Sequence, residues 1–194
     1  MFKLRDFIDI SKIDLILNPK YRDFYGIKDR TMLNKWNYMS YNPKKNMKKK
    51  FMDRLLKNPK KINWKLLPLN SNKKAVNYLL KNINKIINIE YLSENSNDKI
   101  VDFLLKNQNI INWEYLSRNT NIKAIELLKI NKNKINWFNL SSNPNALDIL
   151  EENQDKIIWS EFCKNTNERT FKLLEKNIDK INWISLSMNS QIFL

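Results

Sequence analysis

The stretch Ile111-Asn112-Trp113 decides the fold, because the same tripeptide recurs along the chain at a nearly constant spacing. Further copies stand at residues 62–64, 135–137 and 181–183, with degenerate copies at 87–89 (Ile-Asn-Ile) and 157–159 (Ile-Ile-Trp). The steps between successive copies are 25, 24, 24, 22 and 24 residues. A period of this length is typical of a repeat array, in which small units stack on one another.

The copy at residues 113–136 shows how a unit begins. Asn112 stands where an N-cap is needed, because its side chain can accept a hydrogen bond from a free N–H of the first helical turn. Trp113 and Leu116 are three residues apart, so they lie on one face of a short first helix. The tripeptide therefore predicts the start of a helix in every unit.

A second helix follows in the same unit. After a turn at residues 119–121, Ala124, Ile125 and Leu128 recur at helical spacing, and the pattern stops near Asn131. Each unit is then a two-helix hairpin of about 24 residues, which cannot bury its apolar face without a neighbour. Stacked units solve this problem.

The composition favours the same architecture. The chain has one glycine, Gly26, and many asparagines. A β-sandwich or barrel needs many tight turns with positive φ, which glycine normally supplies, whereas asparagine caps helices and tolerates the left-handed region. We predict an all-α fold, an α-solenoid of tandem helix-turn-helix hairpins with a period of about 24 residues.

The repeat frame divides the chain into three parts. Residues 1–35 form a divergent N-terminal cap, residues 36–182 about six hairpins, and residues 183–194 a C-terminal half repeat. The unit that starts at Trp36 has 28 residues, and its four extra residues are about one helical turn. We expect that turn in its second helix.

The unit that starts at Trp137 is the shortest, because it lacks two residues just before Ala146. Its second helix is expected to begin later than in the other units. In the sequence Asn143-Pro144-Asn145, we expect Asn143 to be the N-cap and Pro144 to occupy the first helical position, where its missing N–H has no cost.

The residues that most enzymes need are absent. The chain has no histidine and one cysteine, Cys163, so the commonest general base and a Cys-rich zinc site are both missing. A single glycine also excludes a phosphate-binding glycine loop. We expect no enzyme activity, no metal and no cofactor. Cys163 occupies the unit position of Ser117 and Ser141, and we favour a small, partly buried substitution over a reactive nucleophile.

The tryptophans allow two interpretations. Aromatic rings beside lysines could stack on nucleic-acid bases. Five of them, however, share one position of the repeat next to its apolar residues, which favours a place in the core: Trp64, Trp113, Trp137, Trp159 and Trp183.

The positive charge is concentrated in one half of the chain. The formal net charge is +15, and residues 1–97 hold 22 Lys and Arg against 8 Asp and Glu, whereas residues 98–194 hold 13 against 12. A solvated surface enriched in lysine by AT-rich coding is one explanation; a non-specific site for nucleic acid, an anionic membrane or an acidic protein is the other. The candidate residues are Lys44, Lys45, Lys48, Lys49, Lys50, Arg54, Lys57, Lys60 and Lys61.

The last copy of the repeat has no successor that would cover it. An uncovered end of a repeat array can associate with another molecule, and the alternative is a tail that folds back as a cap. The candidate association residues are Trp183, Ile184, Leu186, Ile192, Phe193 and Leu194.

The units resemble a repeat that is abundant in giant DNA viruses of the mimivirus and phycodnavirus type. The resemblance is carried by Ile-Asn-Trp-x-x-Leu-Ser-x-Asn-Pro-Asn-Ala, read here from residues 135–146, and covers roughly residues 36–189. It implies an ankyrin-like helical repeat protein of viral origin, and it brings no catalytic residues.

Two roles remain open on this basis. The first is a scaffold that binds a viral or host protein through exposed positions equivalent to Glu114, Arg118, Lys123 and Glu126. The second is a minor structural component of a virus particle, associated with the capsid. No apolar run reaches the length of a transmembrane helix, and a single cysteine fits a reducing compartment. The expected location is the virion or the host cytoplasm.

Overall fold

The computed structural model describes Ser40 and residues 49–193, and this part of the chain contains helices and no strand, which confirms the all-α prediction. The predicted cap at residues 1–35 lies outside the described residues. So do residues 36–39 and 41–48 of the Trp36 unit, and the predicted extra turn of this unit is not described. No helix in the described part is long and apolar enough to cross a membrane.

The described part of the chain consists of short α-helices and 3-10 helices. The α-helices are α1 (Lys49–Leu56), α2 (Lys73–Lys81), α3 (Asp98–Lys106), α4 (Trp113–Leu116), α5 (Ile122–Ile130), α6 (Trp137–Ser141), α7 (Leu147–Glu152), α8 (Trp159–Phe162), α9 (Thr170–Glu175) and α10 (Trp183–Ser187). The 3-10 helices are Pro59–Lys61, Leu67–Leu69, Ile83–Lys85, Ile89–Glu94, Gln108–Ile110, Lys132–Lys134, Gln154–Lys156, Ile178–Lys180 and Ser190–Phe193.

The hairpin of α4 and α5 follows the sequence prediction closely. The Asn112 side chain accepts a hydrogen bond from the Tyr115 N–H at 3.1 Å, so it caps α4 as expected. Helix α5 buries Ala124, Ile125 and two leucines, and it ends at Ile130 with Asn131 as its C-cap. In two earlier units a 3-10 helix, Leu67–Leu69 or Ile89–Glu94, occupies the place of the first helix.

The short unit differs in part from its prediction. Helix α7 does begin late, at Leu147, but Pro144 is not its first residue. The Ala146 N–H donates to the Asn143 carbonyl at 3.2 Å and closes a turn that contains Pro144. Because this unit has two residues fewer before the helix, the turn occupies the whole segment between Asn143 and Ala146. The expected start of the helix at Pro144 was therefore wrong.

The degenerate second copy is shifted by one residue from the sequence alignment. Ile86 follows its 3-10 helix with φ −71° and ψ 126°, the conformation that Ile62 adopts in the preceding copy (φ −71°, ψ 127°). Ile86 packs against the core, whereas Ile87 is 72% exposed. The extra residue of this unit is therefore inserted between Ile86 and Asn88.

One continuous cluster of apolar side chains runs from Met52 to Leu186. Each first helix contributes a buried leucine, except α8, which contributes Phe162, and each second helix contributes a buried leucine as well. Burying such a side chain contributes roughly 1.5–3 kcal/mol. The tryptophans do not reach the centre as expected: four are half-buried against the cluster, and Trp183 is 42% exposed. A first helix of four or five residues points its leucine inward and leaves its first residue at the edge.

Candidate interaction surfaces and the buried asparagine ladder

The most regular polar feature is a row of buried asparagines, here called the asparagine ladder. Its members stand six residues after the Trp position of each unit, or after Ile89 where that residue replaces it, and each is at most 3% exposed. They are Asn70, Asn95, Asn119, Asn143, Asn165 and Asn189.

Asn119 shows the bonding pattern of the ladder. Its Nδ2 donates to the carbonyls of Ser93 at 2.8 Å and Asn95 at 3.1 Å, both in the preceding unit. Its Oδ1 accepts the Asn121 N–H at 2.9 Å. In turn, the Asn119 carbonyl accepts from Nδ2 of Asn143 at 2.9 Å. The side chain thus fixes its own turn and joins it to the turn of the unit before.

The same pair of bonds recurs towards the C-terminus. Asn165 Nδ2 donates to Ser141 and Asn143 carbonyls at 3.0 Å each, and Asn189 Nδ2 donates to the carbonyls of Cys163 and Asn165 at 3.0 and 2.7 Å. A buried donor or acceptor that loses its partner costs about 1–3 kcal/mol. The ladder therefore makes the stacking of turns specific.

A serine row connects the units at a second point. The Ser117 hydroxyl donates to the Trp113 carbonyl at 2.8 Å and accepts the Asn136 N–H of the next unit at 3.0 Å. Ser141 makes the equivalent bonds. Cys163 takes this place in the next unit, is fully buried, and accepts the Asn182 N–H; burial raises the pKa of its thiol. A buried thiol with a raised pKa is a poor nucleophile.

The sequence predicted that the asparagines cap helices and form turns, but the hydrogen bonds of the ladder between units were not predicted. The available signal was position: each unit keeps an asparagine six residues after its first-helix start, even in the Trp64 unit, where proline replaces the serine.

The predicted polyanion site is described in part. Lys44, Lys45 and Lys48 lie outside the described residues, and Lys49 and Lys50 begin α1. Arg54 is exposed on α1, and the segment that follows this helix carries exposed lysines at 57, 60 and 61.

Similar exposed lysines, which the sequence analysis did not single out, occur in later connecting segments. Lys85 Nζ lies 5.5 Å from the Trp64 ring centroid, and Lys134 Nζ lies 4.4 Å from that of Trp113. Lys180 repeats the contact at 4.9 Å over Trp159. The three lysines hold equivalent places, so the connecting segments share one geometry.

Ion pairs are denser in the C-terminal part, and they occupy three of the four positions expected to bind a partner. Arg118 pairs with Glu94 at 3.9 Å, Lys123 with Asp102 at 2.5 Å, and Glu126 with Lys129 at 3.0 Å. Glu114 is exposed. These pairs tie the units to themselves and to each other, so partner binding is better sought elsewhere.

The C-terminal candidates separate into exposed and buried residues. Ile184 is 77% exposed and Trp183 is 42% exposed, but Leu186 is fully buried and is not available to a partner. Leu186 is covered because α10 packs on α8 and on the 3-10 helix Ser190–Phe193. Ile192 of that 3-10 helix packs against the core, as expected of a tail that folds back. The Phe193 side chain and Leu194 lie outside the described part.

Exposed apolar side chains also occur at the start of the preceding first helices. Phe138 on α6 is 47% exposed, and Ile158, which directly precedes α8, is 38% exposed. Helices α6 and α8 pack together, and so do α8 and α10. With Trp183 and Ile184, these are exposed apolar side chains at or beside the starts of three successive first helices, and they are here called the apolar row.

Comparison with known proteins gives no match: no family model, no curated protein and no solved structure is significantly similar to this chain. Within residues 49–193, no three Cys, Asp or Glu side chains come together in a way that could hold a metal ion.

Proposed function

We propose that the chain is an α-solenoid of hairpins with a period of about 24 residues, and that it is a non-enzymatic scaffold that binds a protein partner. The repeated bonds of the asparagine ladder support the solenoid, because each joins a turn to the turn one unit earlier. Repeat arrays of this kind use their extended surface for binding.

The observation that carries the scaffold proposal is the apolar row of Phe138, Ile158, Trp183 and Ile184. Apolar side chains grouped on a surface mark interaction sites more often than scattered ones do. Aromatic residues are also enriched among the residues that dominate the binding energy of protein interfaces. The row therefore fits a partner protein with a complementary apolar face.

Variation between units supports the same surface. The residue after the Trp position of each unit (Ile89 in one unit) is exposed or half-buried, and its chemistry changes along the array. These residues are Lys65, Glu90, Glu114, Phe138, Ser160 and Ile184. A surface that varies over a constant core is suited to specific recognition.

The resemblance to giant-virus repeats suggests the source of the partner. A viral or host protein, met in the host cytoplasm or in the virus particle, is the partner we propose. The apolar row does not distinguish these sources, but mass spectrometry of purified particles does.

The experiment compares two double variants with the unchanged protein in affinity capture from cells that naturally produce it. Phe138→Asp with Ile184→Asp alters the apolar row, and Ile122→Asp with Ile130→Asp is the matched control on α5, where both isoleucines are exposed. If each of the two changes in the apolar row reduces the binding free energy by about 2 kcal/mol, the affinity falls roughly 1,000-fold.

The expected result is a partner retained by the unchanged protein and by the control, and lost by the apolar-row variant. Equal capture by all three proteins, or no partner in any of them, would contradict the proposal. Light scattering of the purified proteins adds a second arm: self-association abolished by the apolar-row variant alone would replace the partner with a second copy of the chain.

A further inference from the structure

Exposed lysines line the four connecting segments that follow α1, α2, α3 and α5. Each segment leaves a second helix and leads through a 3-10 helix into the next unit. The residues, here called the lysine edge, are Lys57, Lys60, Lys61, Lys81, Lys85, Lys106, Lys132 and Lys134.

The four segments have one conformation and lie side by side. The isoleucines that end them (Ile62, Ile86, Ile111 and Ile135) have φ between −71° and −67° and ψ between 123° and 129°. Helices α1 and α2 pack together, and so do α2 and α3, so the segments that follow these helices lie next to one another. In the fourth segment, Lys132 Nζ lies 3.3 Å from Glu152 Oε2 at the end of α7. The lysines therefore follow one edge of the array.

Acidic residues are absent from these segments. Residues 54–89 contain no Asp or Glu, and the segments 106–111 and 132–135 contain none either. Among the nearby carboxylates, Glu152 pairs with Lys132 of the edge itself. The others are engaged elsewhere: Asp102 pairs with Lys123, Glu126 with Lys129, and Glu94 with Arg118. The lysine edge therefore carries a concentrated positive charge.

Helix dipoles explain a smaller part of this pattern. A cation at the C-terminal end of a helix is favourable, and Lys57, Lys81 and Lys106 end or directly follow α-helices. The other five lysines lie beyond those ends. Cation–π contacts hold Lys85 and Lys134 over their tryptophans, so two charges of the edge have a fixed position before any ligand arrives.

We propose that the lysine edge binds the phosphate backbone of nucleic acid without regard to sequence. A row that is one segment wide and four segments long matches a linear polyanion better than it matches a flat membrane. Lysine binds phosphate as a point charge, and the only regular elements within these segments are 3-10 helices of three residues. None of them forms the longer helix or ribbon that enters a duplex groove to read bases, so phosphate contacts dominate. This site is separate from the apolar row of the proposed function.

The size of the edge sets the expected affinity behaviour. Helices that pack together are about 8–10 Å apart, so four units span roughly 27 Å, which is about eight base pairs at 3.4 Å each. With about five phosphate contacts, the affinity would fall roughly 500-fold between about 50 mM and about 200 mM salt.

The test measures fluorescence anisotropy of a labelled duplex of about 20 base pairs over this salt range, with two variants of equal charge. The edge variant changes one lysine in each segment: Lys60→Glu, Lys85→Glu, Lys106→Glu and Lys134→Glu. The control variant changes four exposed lysines that lie outside the edge: Lys65→Glu, Lys73→Glu, Lys99→Glu and Lys172→Glu.

We expect the edge variant to lose at least about 100-fold in affinity at low salt. The slope of log affinity against log salt is negative, and its magnitude should decrease by about four. The control variant should keep the slope of the unchanged protein. Circular dichroism checks that each variant is folded. If the four glutamates unfold the edge variant, a variant with Lys→Gln at the same four positions takes its place.

Three results would overturn the proposal. One is undetectable binding of the unchanged protein to the duplex at low salt, and another is an equal loss in both variants, which would reflect net charge alone. The third is binding to vesicles of phosphatidylserine and phosphatidylcholine in equal parts that is tighter than duplex binding and depends on the edge. All three can occur whether or not the apolar row binds a partner protein.

Discussion

Residues 49–97 and residues 98–193 share one hydrogen-bonded framework and differ in how their charges are arranged. The asparagine ladder runs through both, from Asn70 to Asn189. The first region holds 11 Lys and Arg against 3 Asp and Glu, and the second holds 13 against 12. The second region uses its acids in ion pairs such as Arg169 with Asp148 at 2.9 Å.

The difference shows that charge and architecture are set by separate positions of the unit. Buried asparagine, serine, isoleucine and leucine positions repeat in both regions, while exposed positions are free to become basic in one and paired or apolar in the other. A surface can therefore change from the lysine edge to the apolar row without a change in the underlying framework. Function is expected to follow this surface difference.

The largest effect is expected where the framework is shared. Asn119→Asp replaces the donor that bonds two carbonyls with a buried carboxylate, and an uncompensated buried charge costs about 3–5 kcal/mol. Urea denaturation should give a similar loss for Asn70→Asp in the other region. Asn133→Asp is the control: it is exposed, and its effect should stay within about 0.5 kcal/mol. A ladder variant as stable as this control would contradict a framework that both regions share.

Substitutions of equivalent core leucines test whether the two regions share one hydrophobic core. Leu79 on α2 and Leu128 on α5 occupy the same position of their units and are both fully buried. Each Leu→Ala change should reduce the free energy of unfolding by about 2–5 kcal/mol. Chemical denaturation that shows a large loss for one leucine and almost none for the other would mean that the two regions do not share a core.

The serine row gives a smaller effect. Ser117→Ala leaves the Asn136 N–H without its acceptor, whereas the Trp113 carbonyl still accepts the Ser117 backbone N–H. The lost partner should cost about 1–3 kcal/mol. Cys163→Ser introduces the hydroxyl that other units have at this place, so its cost should be below about 1 kcal/mol. Thermal denaturation of both variants tests this order. The reverse order would mean that the hydroxyls of the serine row do not stabilise the stacking of units.

Charge substitutions should have the smallest effects, with opposite signs in the two regions. Arg169→Gln breaks the ion pairs with Asp148 and Glu151 and should lower the melting temperature slightly at low salt, with no effect at high salt. Lys73→Gln removes a cation from the first turn of α2, where the helix dipole disfavours it, and should raise the melting temperature. Shifts of the same sign at low salt would contradict the charge difference between the regions.

The sequence was sufficient for the local structure of a unit. The Asn112 cap predicted the start of α4, and the turn at residues 119–121 with helical periodicity up to Asn131 predicted α5. The two missing residues predicted the late start of α7. These features depend on residues close together in the chain. The all-α class followed from them and from the scarcity of glycine.

Features that depend on contacts between units were harder to predict. Ile86 and Ile87 both fit the isoleucine of the tripeptide, and only the stacking of units distinguishes the partly buried Ile86 from the exposed Ile87. The tryptophans looked like core residues because periodicity gives the face of a helix and not its depth. The lysine edge was predicted in part, at Lys57 to Lys61, because its other members come together only when connecting segments align.

The asparagine ladder is the central claim, and side-chain amide hydrogen exchange measured by NMR tests it most directly. The account predicts slow exchange for the Nδ2 hydrogens of the six ladder residues, because each is buried and bonded to carbonyls of the preceding unit. The exposed Asn84, Asn109 and Asn133 should exchange rapidly in the same sample. Ladder amides that exchange as rapidly as these three would contradict a framework held together by buried asparagines.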